Sequence, residues 1–99
     1  MEQTYQLIHN KERNQYEFHV DKYTPKIEYL KPNRETVFLT HTEVPAALGG
    51  KGIGSELVKQ VLADIEESGA YVVPLCPFVK AYIMRHPEWK HLVSTRINV

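Results

Sequence analysis

The segment from Leu39 to Val58, LTHTEVPAALGGKGIGSELV, constrains the fold more than any other part of the chain. A strand-like run leads into a proline, a cluster of glycines and the start of an amphipathic helix. Pro45 has no N–H to donate to a sheet, so the strand before it must end, bulge or lose a partner there. This order of features predicts a strand that ends at the turn into a helix.

The residues before this segment predict antiparallel strands joined by short turns. The runs TYQLIHN, QYEFHV and KIEYL are rich in aromatic and β-branched residues, and polar residues separate them. The next strand is predicted from Thr36 to Val44, and its two mixed faces suggest a central position. Alternation places Val37, Leu39, His41 and Glu43 on one face and Phe38, Thr40, Thr42 and Val44 on the other.

A helical period replaces the alternation from about Lys51 onward. Gly69 is predicted to cap this helix at its C-terminus, and residues 71–76, YVVPLC, are predicted to form a buried strand. A strand, helix and strand of these lengths imply a right-handed parallel crossover. FVKAYIMRH predicts a second helix before Pro87, and Trp89 is expected to pack the tail on the core. The apolar stripe of the first helix is Ile53, Leu57, Val58, Val61, Leu62 and Ile65.

Length and composition narrow the class of protein. The 99 residues are expected to form one domain, 1–99, of α+β class with a mostly antiparallel sheet, one parallel β-α-β unit and two main helices. Twelve basic and twelve acidic residues give a formal net charge of zero, so the composition does not indicate binding to nucleic acid or to an anionic membrane. No apolar run of membrane length or secretory signal is seen, and a cytoplasmic location is expected.

The number and spacing of cysteine and histidine residues restrict the disulfides and metal sites that the chain can form. Cys76 is the one cysteine, which excludes an internal disulfide and a multi-cysteine zinc site. His86 and His91 are five residues apart, with Pro87 between them, rather than the three or four that place two ligands on one helix face. No metal site is therefore predicted.

The glycines of the turn are suited to an anion. The first N–H groups of a helix lack partners and lie at the positive end of its dipole, and glycines let a phosphate approach them closely. Lys51 adds a positive charge. The order G-x-x-G-x-G is neither a P-loop nor the dinucleotide fingerprint. From the glycines alone, a tight strand-to-helix turn without a ligand is an equally open interpretation.

The run HTEVPAALGGKGIGSELV resembles the acetyl-CoA-binding motif of the GNAT superfamily of acyltransferases. Gly52 and Gly54 match the two small positions of that motif, whereas Gly49 stands where the family usually has Gln or Arg. The continuation VVPLCPFVKAYIMRHPEW is similar to the next strand and helix of a subfamily of small, single-domain GNAT-like proteins. The resemblance runs from Thr36 to about Trp89 and implies a GNAT-like core.

The resemblance also implies where acetyl-CoA, the cosubstrate, is held. A bulge before Pro45 would separate the 36–44 strand from the 71–76 strand, and the pantetheine arm would pair with the freed backbone. The N–H of Val44 is then a candidate donor to the oxyanion of the reaction. The implied CoA-binding residues are Glu43, Val44, Gly49, Gly50, Lys51, Gly52, Ile53, Gly54 and Ser55.

Four side chains are candidates for catalysis. His41 and Glu43 share a predicted strand face near the slot and are candidate bases, although a core histidine and a solvated carboxylate are the simpler interpretation. Tyr82 lies approximately where the superfamily carries a tyrosine that protonates CoA, and it also fits a packing role. Cys76 lies near the expected thioester, and the resemblance suggests a covalent or acid role beside the alternative of inert packing.

Three functions remain open at this point. The leading hypothesis is an acyltransferase that passes the acetyl group of acetyl-CoA to an amine of a protein, peptide or small molecule, possibly through Cys76. The alternative is a non-catalytic CoA-binding sensor or partner module, which the absence of Gln or Arg at Gly49 favours. The third is an interaction domain that binds no CoA. The sequence leaves the acceptor and the oligomeric state open.

Overall fold

Five strands form one sheet, in the order in which they occur along the chain, in a computed structural model that describes residues 5–94. The first three pairings are antiparallel and the last is parallel, which confirms the predicted sheet. Short 3-10 turns span Ala46–Leu48 and Pro87–Leu92. The strands are β1 (Ile8–Asn10), β2 (Gln15–Glu17), β3 (Lys26–Leu30), β4 (Thr36–Glu43) and β5 (Tyr71–Pro74), and the helices are α1 (Ile53–Glu67) and α2 (Pro77–Arg85).

The helix α1 connects the two parallel strands, and its apolar stripe packs against the sheet to form the core. All six apolar positions predicted for its stripe are buried. Gly69 has a φ of +83°, and its N–H and that of Ala70 donate to the carbonyls of Glu66 and Ile65. These two bonds close the helix with a left-handed glycine, as predicted. Trp89 packs against the same core from the last turn.

Strand β5 is shorter than predicted. It ends at Pro74 rather than at residue 76, and β4 ends at Glu43 rather than at Val44. The backbone N–H groups of Leu75 and Cys76 both donate to the carbonyl of Leu39, at 3.1 and 2.9 Å. Two donors on one acceptor turn the chain away from β4, so Cys76 becomes the N-terminal cap of α2 instead of a strand residue.

The bulge of β4 lies earlier than predicted. Glu28 pairs with His41 but Tyr29 pairs with Leu39, so Thr40 is the extra residue, five positions before Pro45. An extra residue reverses the alternation of faces beyond it. The prediction that His41 and Glu43 share a face with Leu39 is therefore wrong, because the pairing of Thr42 with buried Ile27 places Thr42 on that face instead.

The two parallel strands separate at this bulge. Their register runs from Thr36 opposite Tyr71 to Leu39 opposite Pro74, and β4 continues to Glu43 beyond the last pair. The sheet is thus splayed between β4 and the start of α2, as the predicted fold class requires.

In the N-terminal hairpin, formed by β1 and β2, the ring of His9 lies among aromatic side chains and also makes a polar contact. His9 stacks on Tyr16 at 4.2 Å between ring centroids, and its Nε2 lies 2.6 Å from the Tyr29 hydroxyl. The Tyr16 hydroxyl donates to Asp64 of α1 at 3.1 Å. These contacts tie the hairpin to the helix that carries the glycine-rich turn.

Acid is expected to weaken the fold through His9. Burial lowers the pKa of the His9 imidazole below its ordinary value of 6.5, so the unfolded chain takes up this proton first as the pH falls. The contribution to stability is present above that value and is lost as the pH falls through the lower, folded-state pKa. In urea unfolding compared between about pH 7.5 and about pH 5, wild type should lose more stability than His9→Gln. Equal losses would contradict this assignment.

Candidate functional site

A groove of about 300 Å³ lies where β4 ends and α1 begins. Seven of the nine predicted CoA-binding residues lie in its wall, and Glu43 and Lys51 do not. Its lining residues are Val44, Pro45, Ala46, Leu48, Gly49, Gly50, Gly52, Ile53, Gly54, Ser55 and Phe78.

The glycine-rich turn leaves backbone donors free at the start of α1. Gly50 and Gly52 have φ of +77° and +73°, a left-handed backbone conformation that residues other than glycine rarely adopt. Gly52 caps the helix without offering a side-chain acceptor. Among the backbone hydrogen bonds within residues 5–94, none is donated by Ile53, Gly54 or Ser55. The helix therefore presents its unpaired N–H groups to the groove.

Gly54 sets the width of the groove at its contact with α2. A Cβ placed there would lie 2.7 Å from Cζ of Phe78 and 3.3 Å from Cγ2 of Val44. Phe78 is 38% exposed, so one side of its ring packs on the glycine and the other is open. A side chain at position 54 would have to displace the ring that forms one wall.

No charged side chain is among the groove-lining residues in the described part of the chain. Gly49, at the position of the family's Gln or Arg, contributes backbone only, and its own N–H donates to the carbonyl of Ala46 at 3.0 Å. Lys51 is exposed and lies next to the groove in the chain. An anion placed in the groove would therefore meet backbone N–H groups and the positive end of the helix dipole and no side-chain charge of the lining residues.

Cys76 lies at the point where the parallel strands part. It is 5% exposed and caps the N-terminus of α2, and its Sγ lies 3.2 Å from Oγ1 of Thr42 on β4. Burial raises the pKa of the thiol, but the hydrogen bond with Thr42 and backbone N–H groups of α2 lower it by more. The pKa of Cys76 is therefore below its ordinary value. The hydrogen bonds to sulfur thus favour the thiolate by more than burial disfavours it.

Thr42 is the contact of Cys76 that the sequence did not predict. Strict alternation assigned it to the face opposite Leu39, and only the bulge brings it round to the gap. The sequence feature that points to such a contact is the pair of polar β-branched residues, Thr40 and Thr42, on a strand that is expected to be central. Polar side chains at such positions need a partner, and Cys76 is the partner of Thr42.

The structure does not bring His41 and Glu43 to Cys76. They lie on the outer sheet face, with side chains 56% and 60% exposed and 3.6 Å between His41 Nε2 and a Glu43 oxygen. Glu28 joins them, and the ligand atoms of the three residues lie within 4.8 Å of one another. The ammonium of Lys26 is 3.0 Å from Glu28 and 3.9 Å from Glu43. A cation of the chain itself thus already balances this acidic group.

Tyr82 is 4% exposed and lies on the buried side of α2. Its ring stacks on His86 with 4.2 Å between centroids. Burial, and then the charge of Glu88, raise the pKa of its phenol, so the hydroxyl keeps its proton over the whole neutral range. The packing role expected for Tyr82 is confirmed, and its role as an acid stays a prediction.

The fold and the groove are those of a known class of protein, which similarity to other proteins identifies. A family model described as GCN5-related N-acetyltransferase matches residues 15–92, which is most of the chain. The chain therefore belongs to the GCN5-related N-acetyltransferase family, whose members are enzymes that transfer acetyl groups and generally use acetyl-CoA. The fold class and the family indicated by the glycine-rich motif are both confirmed.

Relatives of similar size support this assignment. The chain is 29% identical over 88 residues to Protein NATD1 of Xenopus tropicalis, an alignment that covers 85% of this chain and 79% of the relative. It is 29% identical over 91 residues to Protein NATD1 of Gallus gallus, covering 88% and 81%. The solution structure of a GCN5-like protein from Staphylococcus aureus has the same fold, with a TM-score of 0.70 at 21% identity, covering 90% of this chain and 87% of that one.

No helix within residues 5–94 is long and apolar enough to cross a membrane.

Proposed function

We propose that this chain takes an acetyl group from acetyl-CoA and passes it to an amine by way of the Cys76 thiol. The observation that carries the proposal is the position of that thiol. It is buried, has a lowered pKa and lies where β4 and β5 separate, at the N-terminal cap of the helix whose Phe78 lines the groove. Hydrogen bonds that lower the pKa of a thiol increase the share of the thiolate, which is the nucleophilic form.

The residues of the groove fit a CoA thioester. The unpaired N–H groups of Ile53, Gly54 and Ser55, with the left-handed turn at Gly52, suit a pyrophosphate. The backbone of β4 beyond Leu39 has no β5 partner and suits the amides of a pantetheine arm. The N–H of Val44 donates to no backbone acceptor within residues 5–94, so it remains our candidate donor to the oxyanion.

The first half of the proposed reaction is thioester exchange. The Cys76 thiolate attacks the acetyl carbonyl, a C–S bond to Cys76 forms, and the C–S bond to CoA breaks. The CoA sulfur leaves as a thiolate and takes a proton from solvent or from an acid of the protein, for which Tyr82 is the candidate. The thiol proton of Cys76 has by then been lost to solvent, which its lowered pKa favours.

In the second half, a neutral amine attacks the acetyl group on Cys76. A C–N bond forms, the thiolate is released, and the proton of the amine passes to a base. We assign this base to solvent water, because His41 and Glu43 lie on the outer sheet face, away from Cys76. The acceptor is an amine of a protein, peptide or small molecule.

Intact-protein mass spectrometry after incubation with acetyl-CoA tests the proposal. Native wild type is expected to gain one acetyl group, which an added amine removes, and Cys76→Ser is expected to gain none. Since the chain has a single cysteine, this variant leaves no other thiol. Wild type unfolded in urea is the control for uncatalysed acetylation. Thermal unfolding with CoA measures binding separately, because a ligand of the folded state raises the midpoint.

Each outcome decides between the candidate functions. An adduct that requires the fold and Cys76 supports transfer through the thiol. Stabilisation by CoA without an adduct, but with acetylated amine, would replace the thiol route by direct transfer. Stabilisation without any acetylated product would favour the CoA-binding module, which the uncharged lining of the groove supports. No stabilisation and no adduct would overturn the proposal.

A further inference from the structure

The geometry points to Thr42 as a positioning residue for Cys76, whose hydroxyl holds the sulfur in the gap between β4 and α2 in both of its protonation states. This inference rests on the proposed role of Cys76 as the acyl-accepting thiol. It adds to the reaction a side chain that acts through the cysteine.

The contact crosses the opening of the sheet. Thr42 lies on β4 beyond its last pair with β5, and Cys76 lies at the first turn after β5, 34 residues later in the chain. Sγ and Oγ1 are 3.2 Å apart, within the range of a hydrogen bond to sulfur. Thr42 reaches this place only because the extra residue Thr40 turns it to the buried face. The bulge that separates the strands thus also supplies the partner of the thiol.

A hydroxyl is suited to this position because it both accepts and donates. With the thiol protonated, S–H donates to Oγ1 of Thr42. With the thiolate present, rotation about the Cβ–Oγ1 bond lets the hydroxyl donate to sulfur. The backbone N–H groups of Phe78 and Val79 are donors only, so they favour the thiolate alone. Thr42 is the side chain that can keep Cys76 oriented before and after it loses its proton.

The groups that lower the pKa of Cys76 are neutral ones. They are the Thr42 side chain and backbone and the N–H groups at the start of α2, acting against the effect of burial. The charged side chains on the neighbouring elements point elsewhere. His41 and Glu43 of β4 lie on the outer face, and Lys80 of α2 is exposed. A change at Thr42 is therefore expected to act on the thiol directly and not through a nearby charge.

The test is the pH dependence of alkylation by iodoacetamide, which reports the thiolate of the single cysteine without acetyl-CoA. Thr42→Val keeps the shape and removes the hydroxyl, and Thr42→Ser keeps the hydroxyl. Thr40→Val is the matched control, since the Thr40 hydroxyl donates to the carbonyl of Glu28 and not to the thiol. Thermal unfolding of each variant shows that it is folded, and Thr42→Ala replaces Thr42→Val if the valine does not fold.

In Thr42→Val the alkylation profile is expected to shift to higher pH, with the rate near neutral pH lower by about tenfold, which corresponds to one pKa unit. The plateau at high pH should be unchanged. Acetyl-adduct formation should slow by a similar factor, and Thr42→Ser should restore both. Profiles that coincide for wild type, Thr42→Val and Thr40→Val would overturn the inference. Failure of wild type to form an acetyl adduct would instead overturn the proposed function, whatever the alkylation shows.

Discussion

Gly54→Ala is expected to weaken CoA binding by at least about tenfold, or about 1.4 kcal/mol, with little change in the stability of the fold. The new Cβ would lie 2.7 Å from the Phe78 ring and 3.3 Å from Val44, so the wall of the groove must move. In the helix itself, alanine is favoured over glycine by about 1 kcal/mol, which offsets the cost of moving a half-exposed ring. Isothermal titration with CoA and urea unfolding separate the two effects.

Two further variants control this experiment. Phe78→Ala in the Gly54→Ala background removes the ring that the Cβ meets, so affinity should recover and the double-mutant cycle should show coupling. Gly69→Ala places alanine at a φ of +83° far along α1 from the groove, and it should lower stability without changing CoA affinity. Equal affinity of Gly54→Ala and wild type would contradict the location of the CoA site.

Deletion of Thr40 is expected to abolish measurable CoA binding while the chain stays folded. Thr40 is the extra residue of the bulge, so its removal leaves every other β3–β4 pair and the face of every β4 side chain unchanged. The deletion removes the hydrogen bond from the Thr40 hydroxyl to the Glu28 carbonyl, which is worth about 1 kcal/mol. Without the bulge, β4 continues straight beside β5 and the gap closes.

Thermal unfolding and titration with CoA together check this result. Thr40→Gly is the matched control, because it keeps the bulge and removes the same hydroxyl hydrogen bond. It should bind CoA as wild type does. If the deletion variant binds CoA with the affinity of wild type, the bulge is not what opens the site.

The comparison between sequence and structure is most informative along β4. Alternation correctly placed Val37 and Leu39 together on one face, which the structure shows to be buried, but it failed for His41 and Glu43 further along the strand. A β-bulge depends on how two strands pair, and the residues of one strand do not reveal which position is left without a partner. The catalytic pair predicted from proximity in sequence therefore lies on the other side of the sheet from the thiol.

Cys76 shows the opposite case. Its predicted position at the end of β5 was wrong by two residues, since the strand ends at Pro74, yet its predicted place near the opening holds. The error is small because Pro77 at the first turn of α2 and the shared acceptor Leu39 bring the chain round at once. The residue at which a strand ends depends on which carbonyl accepts each N–H, and this is decided by the tertiary structure.

The sequence by itself determined the order of strands and helices, the buried stripe of α1 and the glycine-rich start of that helix. These features follow from side-chain period and from the backbone freedom of particular residues such as Gly52 and Gly69, which are local properties. The tertiary structure decided which side of β4 faces the gap, that Thr42 meets Cys76, and that Phe78 closes on Gly54. Each of these contacts joins residues far apart in the chain, and only the pairing and packing of whole elements brings them together.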